Sequence, residues 1–552
     1  VELSLVALTV LATLAWGGVR ARAWWRQADS GDRWTALGVA ILALTAIAIR
    51  VGGIGWELGG GALRDESYYV RLARRVVDAG GLLPRAFHYG HLVYYLGAFS
   101  LWLIDLMPGL DRWLMTPIVG NGFDDAAIDW AVLRTVAATL GGLTVIPVAV
   151  AAHRLAGATA ALAASAVLTF STLHARIARQ FIAEGPSAFF AACCFAVVAA
   201  LLVDAERARG WRGWLLAGAM SGLAAACKYP AGVVASAIVG AWMLQVVRTR
   251  RWSWGLVVAG VGSIGALLAA MPAFFVHWRD AFAGEGKDLF FGVRQYAKGG
   301  WLGVQPESLG HWYAWRVVED FGWLAVLLTI LGWTLAPRER WRTLWAAWAW
   351  PGVHFGLLAS MSMAVERTLT ALLPGLAVLV GVGVGSLADR IESGIGAPER
   401  RQLAQGAFAL VAALALLAPS RQVLGELTTL LRPSTRELCE QWIEANYPPG
   451  TKIFAEWYGP KLDPNRYDVT VDRYVTRKSN AEILAEGYEL VILSESAYGR
   501  FFTGELDKPH HRDMAEHYRQ LLALAPLWSV DPGEGRHQGP RIVVLDARRL
   551  AP

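Results

Sequence analysis

Apolar runs long enough to cross a bilayer recur along most of this chain, and that feature leaves few folds open to it. A spanning helix needs about 20 predominantly apolar residues. By that measure about twelve candidate spans, several of them short, lie near 3–18, 35–53, 131–151, 158–173, 187–203, 214–227, 231–247, 255–276, 321–336, 343–360, 368–387 and 404–420. Charged residues make up 17% of the 552 residues, too few to cover a soluble surface of that size. Many of the 26 tryptophans stand at the ends of the apolar runs, where an indole suits the headgroup boundary. The run at 3–18 lacks a basic segment before it and carries its arginines after it, which reads as a membrane anchor rather than a signal peptide.

The arginines give the chain an orientation. They gather at Arg20, Arg22, Arg26 and Arg33, at Arg154, at Arg207, Arg209 and Arg212, at Arg248, Arg250 and Arg251, at Arg338, Arg340 and Arg342, and at Arg390, Arg400 and Arg401. With the spans above, these loops all fall on one side, which the positive-inside rule makes cytoplasmic. The opposite side receives 54–130, 174–186, 277–320, the turn at 361–367 and everything after about 421. A net charge of +6 spread through short loops is no nucleic-acid footprint. The four cysteines show neither a disulfide framework nor metal-ligand spacing and read as packing residues.

Within 54–130 the stretch DESYYVRLARRVVDAG sets Val70, Ala73, Val76 and Val77 on one helical face, with Arg71, Arg74, Arg75 and Asp78 on the other. That pattern predicts an amphipathic helix lying in the membrane interface. A second outer-surface helix is expected between His88 and Met107, because a span there would reverse every later arginine loop. From about 431 the apolar runs shorten to strand length, in KIFAEW, YDVTV, YELVILS and RIVVLDA, and helical patterns near 434–446 and 511–524 separate them. The expected architecture is therefore a polytopic helical membrane domain over 1–430 and a small extracytoplasmic α/β domain over 431–552.

Candidate chemistry collects on the outer side. Asp65 and Glu66 follow GGGALR. A carboxylate against apolar walls suits a general base, while a first-turn acid of a helix accounts for the same pair. HARIARQFIAEGPSAFF sets His174, Arg176, Arg179 and Glu184 in one turn. Outer arginines run against the orientation rule, so either a phosphate or an ion pair with Glu184 is expected to hold them. Lys228 and Tyr229 interrupt an apolar stretch, the lysine either snorkelling or meeting an anion. Arg294, Tyr296, Lys298 and His311 lie in the long loop at 277–320, and Glu366 and Arg367 form the last outer turn. Together these turns describe a site for an anionic ligand at the membrane surface.

The order of DESYYVRLARRVVDAG, HYGHLVYYLGAFSLW, LRTVAATLGGLTVIPVAVAAHRLAG, HARIARQFIAEGPSAFF, AACKYPAGVV and RTLTALLPGLAVL resembles the GT-C superfamily of membrane glycosyltransferases, in particular the bacterial protein O-mannosyltransferase and aminoarabinose-transferase branch (glycosyltransferase family 39-like). The resemblance covers most of 35–390, and WIEANYPPGTKI with the strand patterns after it is similar to the tail of bacterial members. It implies a GT-C-like fold and transfer of a sugar from a polyprenyl-phosphate carrier to a lipid or protein acceptor, with inversion. Asp65 is then the expected catalytic base, with Glu66 beside it and Glu184 where the family more often has aspartate. Lys228, Arg179, Arg294 and Arg367 are expected to steady the leaving phosphate. Tyr68, Tyr69, Arg176, Tyr229, Tyr296 and His311 are further substrate-binding candidates. His88 and His91 stand where the aminoarabinose transferase has a lysine–proline. Metal dependence varies across the superfamily, so the expected cofactor is none or a divalent ion. Expected partners are the lipid-linked donor, the acceptor, membrane lipids and other members of a membrane complex, with no nucleic acid, in a bacterial inner membrane. Two other readings stay open: a non-catalytic subunit of a membrane assembly, and a transporter of lipid-linked sugars, which should show broken helices or polar groups at the bilayer midplane.

Overall fold

A computed structural model describes residues 29–58, 64–80, 84–107, 109, 113, 115–116, 125–283, 288–291, 294, 306–395, 397–502, 509–533 and 537–550. The expected span at 3–18 lies outside them; every later expected span coincides with a helix. In chain order these are α1 (Ser30–Val51), α2 (Arg64–Asp78), α3 (Leu92–Asp105), α4 (Asp125–Leu143), α5 (Val145–Thr169), α6 (Thr172–Ala178), α7 (Glu184–Val203), α8 (Trp211–Cys227), α9 (Ala235–Thr249), α10 (Gly255–Ala269), α11 (Leu309–Phe321), α12 (Trp323–Thr334), α13 (Arg338–Ala359), α14 (Leu373–Gly394), α15 (Pro398–Ala415) and α16 (Leu417–Leu430). Six described helical segments are long and apolar enough to cross a bilayer, or seven if α11 and α12, bent by 103° at Gly322, count as one. One of the six, Ala126–Thr169, holds two passes. His153 meets Asp32 at the start of α1, while Arg134 on one side and Thr169 on the other reach back to its far end. The reversal lies at Ala156–Gly157, where Gly157 takes φ +81°, open to glycine at little cost.

Small residues let the helices approach closely, as membrane packing requires. A Cβ at Gly218 of α8 would strike the Ala259 carbonyl of α10, and one at Gly222 the Ser263 carbonyl. The arginine-rich loops gather at one end of the bundle. There Arg248 donates to the Leu202 carbonyl and the Thr343 hydroxyl, Arg340 pairs with Asp389, and Arg207 with Asp204. The opposite end carries α2, α3 and the C-terminal domain.

The α2 helix is amphipathic as expected. Its buried face, with Tyr69, Val70, Ala73 and Val76, packs against α3 and α4. On its polar face Arg74 binds Asp105 at 2.7 Å and also Asp129.

The C-terminal domain is a five-stranded sheet of order β2-β1-β3-β5-β4, where β1 is Lys452–Glu456, β2 Asp468–Asp472, β3 Leu490–Ser494, β4 Trp528–Val530 and β5 Ile542–Asp546. β1 runs parallel to β2 and β3, and β5 antiparallel to β3 and β4. Side chains alternate across the sheet. Ile453, Leu490, Ile492 and Val544 meet Cys439 and Ile443 of α17 (Thr435–Asn446), while Phe454, Val491, Leu493 and Val543 meet Tyr518 of α18 (Pro509–Ala523). All four expected strands are present; the three-residue β4 is too short to leave a pattern. The four cysteines are free, as expected of packing residues. Arg436 of α17 binds both oxygens of Glu57 at 2.8 Å, nearly out of solvent, and so locks the domain to the bundle just beyond α1.

Glu456 is wholly buried at the end of β1, where it accepts from Ser494 N, Val475 N and the Tyr518 hydroxyl. Loss of hydration outweighs these donors and pushes its carboxyl from 4.5 up to about 7. The folded domain therefore keeps this proton to about pH 7 whereas the unfolded chain loses it near 4.5. Its contribution to stability is complete below 4.5 and falls by about 3 kcal/mol as pH rises to 7. Hydrogen exchange of the β1 and β3 amides in the full chain should show wild type losing stability relative to Glu456→Gln across that window; a difference that does not change with pH would refute the assignment.

Candidate functional site

Four charged side chains far apart in sequence meet at the end of the bundle opposite the arginine-rich loops. Asp65 stands in the first turn of α2, Glu184 in the first turn of α7, Lys228 directly after α8, and Arg367 in the short 3-10 turn Glu366–Ala371 before α14. Arg367 Nη1 lies 2.5 Å from Asp65 Oδ2, and its Nε 3.4 Å from Glu184 Oε1. Lys228 Nζ binds the same Glu184 oxygen at 2.7 Å. The result is one chain of charge, Asp65–Arg367–Glu184–Lys228. Glu184 and Lys228 are buried, while Asp65 and Arg367 keep 34% and 27% of their side-chain surface exposed, so this half faces the open end.

An aromatic wall flanks the cluster. Tyr68 packs beside His88, with ring centroids 5.3 Å apart, and Tyr69 beside Tyr94 at 5.4 Å. The Tyr69 hydroxyl is buried and has no hydrogen-bond partner among the described residues, while the Tyr94 ring meets Tyr68 edge-on. The segment carrying His88 is pressed against the Lys228 turn. Tyr229 donates to the Phe87 carbonyl at 2.8 Å, and a Cβ at Gly90 would collide with the Ala226 carbonyl. His91 is fully buried, its Nε2 3.1 Å from the Ala86 oxygen, so it braces its own loop rather than facing a ligand.

Several expected site residues prove to be elsewhere. Glu66 is not beside Asp65 in function: one helical step turns it 100° into the bundle. There its oxygens receive Arg134 Nε and Nη2, each at 2.8 Å, and Phe181 N at 2.9 Å. Arg176 and Arg179 do not pair with Glu184. Both go to Glu426 of α16, at 2.9 and 3.0 Å, and Arg176 also lies 3.3 Å from Glu366. Arg294 pairs with Asp288, on the segment whose Phe291 meets the His88 ring edge-on, and joins none of the four clustered charges. His311 lies exposed beside Trp315 at the start of α11, whose Tyr313 instead reaches the Arg367 turn. Tyr296 and Lys298 lie outside the described residues.

Other charged groups were missed although a signal existed, namely a charge inside or beside an apolar run. Arg50, wholly buried, holds His174 Nδ1 at 3.0 Å and the carbonyls of Ala46, Leu168 and Thr169. Asp320, at the bend between α11 and α12, accepts from Ser171 Oγ and Leu173 N and so caps α6. Among the described residues no group of three His, Cys, Asp or Glu is placed to hold a metal ion, and Asp65 and Glu184 are paired with cations.

Because Glu66 is a buried partner, Arg134→Ala should leave an uncompensated charge and cost about 3–5 kcal/mol. It should appear as loss of folded protein in detergent on size exclusion. A folded, monodisperse R134A protein would contradict this role.

Residues 113–276 match the family described as Dolichyl-phosphate-mannose-protein mannosyltransferase. A search of curated protein sequences finds no match. Among solved structures the fold is similar to that of ArnT from Cupriavidus metallidurans in the apo state, at 16% identity and TM-score 0.53 over 95% of this chain and 100% of that one. The same protein bound to undecaprenyl phosphate matches at 15% identity and TM-score 0.52, with the same coverage, 95% and 100%. The Archaeoglobus fulgidus oligosaccharyltransferase tethered with an acceptor peptide containing the NVT sequon matches at 15% identity and TM-score 0.55, over 89% of this chain and 72% of that one. Identities this low speak to fold alone: the chain shares the fold of these two proteins.

Proposed function

We propose that this protein transfers a sugar from a polyprenyl-phosphate donor to a hydroxyl of a lipid or protein acceptor, with inversion, on the outer face of a bacterial cell membrane. The observation that carries this reading is the Asp65–Arg367–Glu184–Lys228 cluster, a partly exposed carboxylate paired with one cation that Glu184 links to a second. Support for the donor class comes from the similar fold of a protein solved with undecaprenyl phosphate, and for an acceptor from one solved with a tethered peptide. Support for the face comes from the arginine-rich loops at the other end of the bundle.

The cluster has more carboxylate than a resting site needs and fewer free cations than a phosphate wants. A donor phosphate arriving at Lys228 and Arg367 competes with Asp65 for the Arg367 guanidinium, whose fork matches phosphate oxygens. As Arg367 turns to the phosphate, Asp65 Oδ2 is released to take the proton of the acceptor hydroxyl. The acceptor oxygen then bonds to the anomeric carbon while the carbon–phosphate oxygen bond breaks, and the electron pair leaves on the phosphate. That leaving group is already ionised, so it needs cations rather than an acid, and Lys228 and Arg367 supply them. Glu184 keeps both cations aimed at this point. The Tyr69 hydroxyl, left unpartnered at a cost of about 1–3 kcal/mol, is suited to bonding a sugar hydroxyl.

The 103° bend between α11 and α12 is the feature that favours a transporter. Its polar residue, Asp320, is committed to capping α6, which leaves the break without a free ligand group.

Transfer from radiolabelled polyprenyl-phosphate sugars in membranes should fall about 10²–10⁴-fold in Asp65→Asn, with insertion and melting unchanged. Lys228→Met should lower the maximal rate about 10²–10³-fold. Undiminished transfer by D65N would remove Asp65 from the chemistry. No transfer by wild type from any donor would favour the transport or structural readings.

A further inference from the structure

A second polar site lies behind the first, where the bundle meets the C-terminal domain. It is a cavity of about 90 Å³ beside Trp56, Arg179 and Gln180, with Arg134, Arg176, Glu66 and Glu426 also in its wall. The space admits several waters or one tetrahedral oxyanion. Three of its wall groups are buried without a hydrogen-bond partner among the described residues: Trp56 Nε1, Arg179 Nε and Gln180 Oε1. The other charged atoms of the wall are spoken for. Glu66 is filled by Arg134 and Phe181 N, and Arg134 Nη1 goes to the Ile54 and Trp56 carbonyls. Glu426 is filled by Arg176 and Arg179, and Arg179 Nη2 goes to the Ile49 carbonyl.

We propose that this cavity binds a small oxyanion of the phosphate class, held by Trp56, Arg179 and Gln180. Two unpartnered N–H donors belong to its lining residues, one of them on a guanidinium, and the wall holds three arginines against two glutamates. Glu366, the remaining carboxylate near Arg176, lies outside the wall and is 38% exposed. Gln180 Oε1 would accept the hydroxyl of a protonated phosphate or of a glycerol headgroup. The cavity shares Trp56, Gln180 and Gln538 with an open crevice of about 420 Å³ between Arg436, Glu495 and Pro540, which gives the anion its way in. Gln538 belongs to the C-terminal domain and Trp56, Arg179 and Gln180 to the bundle, so an occupant tightens the docking of the two. The site is separate from the Asp65 cluster and does not depend on the transferase reading. Free phosphate and a phospholipid headgroup offer the same chemistry.

The test is thermal unfolding of the purified full chain, read in two arms. One is in phosphate-free detergent with inorganic phosphate titrated against chloride at matched ionic strength. The other compares nanodiscs of phosphatidylglycerol with nanodiscs of phosphatidylcholine. A saturable rise in Tm with phosphate, its midpoint displaced about tenfold or more in Trp56→Phe, supports the site with a free anion. A rise confined to phosphatidylglycerol and reduced in W56F supports it with a lipid headgroup. No rise in either arm, or an equal rise in W56F, overturns it. If W56F does not fold, Gln180→Leu gives the same comparison.

Discussion

One buried pair of charges, Glu66 with Arg134, organises the end of the bundle that carries the Asp65 cluster. The carboxylate is fully out of solvent and the guanidinium nearly so, yet every polar atom of the pair has a partner. Those partners come from four parts of the chain: α2, α4, the loop after α1 and the turn before α7. A buried ion pair adds little net stability over an apolar core, but removing one partner is costly, so it selects a single arrangement. Because Glu66 is pinned, the residue before it is presented at a defined point, and that residue is Asp65.

The second organising feature is the sharing of Glu184 between Lys228 and Arg367. Three helix ends and a 3-10 turn bring these groups together. No single segment carries a site, so loop conformations at one end of the bundle decide its geometry. Adjacent residues Glu366 and Arg367 join two charge systems, one leading to Asp65 and the other, through Arg176 and Glu426, to the helix that leads into the C-terminal domain. The position of that domain and the position of the half-exposed carboxylate are thus linked through a few ion pairs, with the junction cavity between them.

Much of the fold was legible from periodicity. Apolar runs located most of the long helices, and short apolar runs located β1, β2, β3 and β5, while α6 and α11 fell in segments expected to be outer loops. The arginine loops sorted the two ends correctly. Legibility failed where a side chain had two chemically sensible partners. Arg176 and Arg179 sit five or more residues from Glu184 and looked ready to pair with it, but they chose Glu426, some 250 residues later. Glu66 looked like half of an acidic pair and proved to be a buried partner of Arg134. Arg50 and Asp320 lie in or at the ends of apolar runs, and that placement was itself the sign of a structural role.

What the sequence determined by itself was local: which segments are apolar enough to leave water, which face of a helix or strand is apolar, and at which end cations collect. These follow from hydrophobicity and side-chain period, which depend only on near neighbours. The tertiary structure decided the pairing of charges and therefore the site: Asp65 with Arg367, Glu184 with Lys228, Glu66 with Arg134, Glu57 with Arg436. Ion pairing is short-ranged and indifferent to sequence separation, so only the packed arrangement of helix ends could say which carboxylate meets which cation, and which is left half-open to solvent.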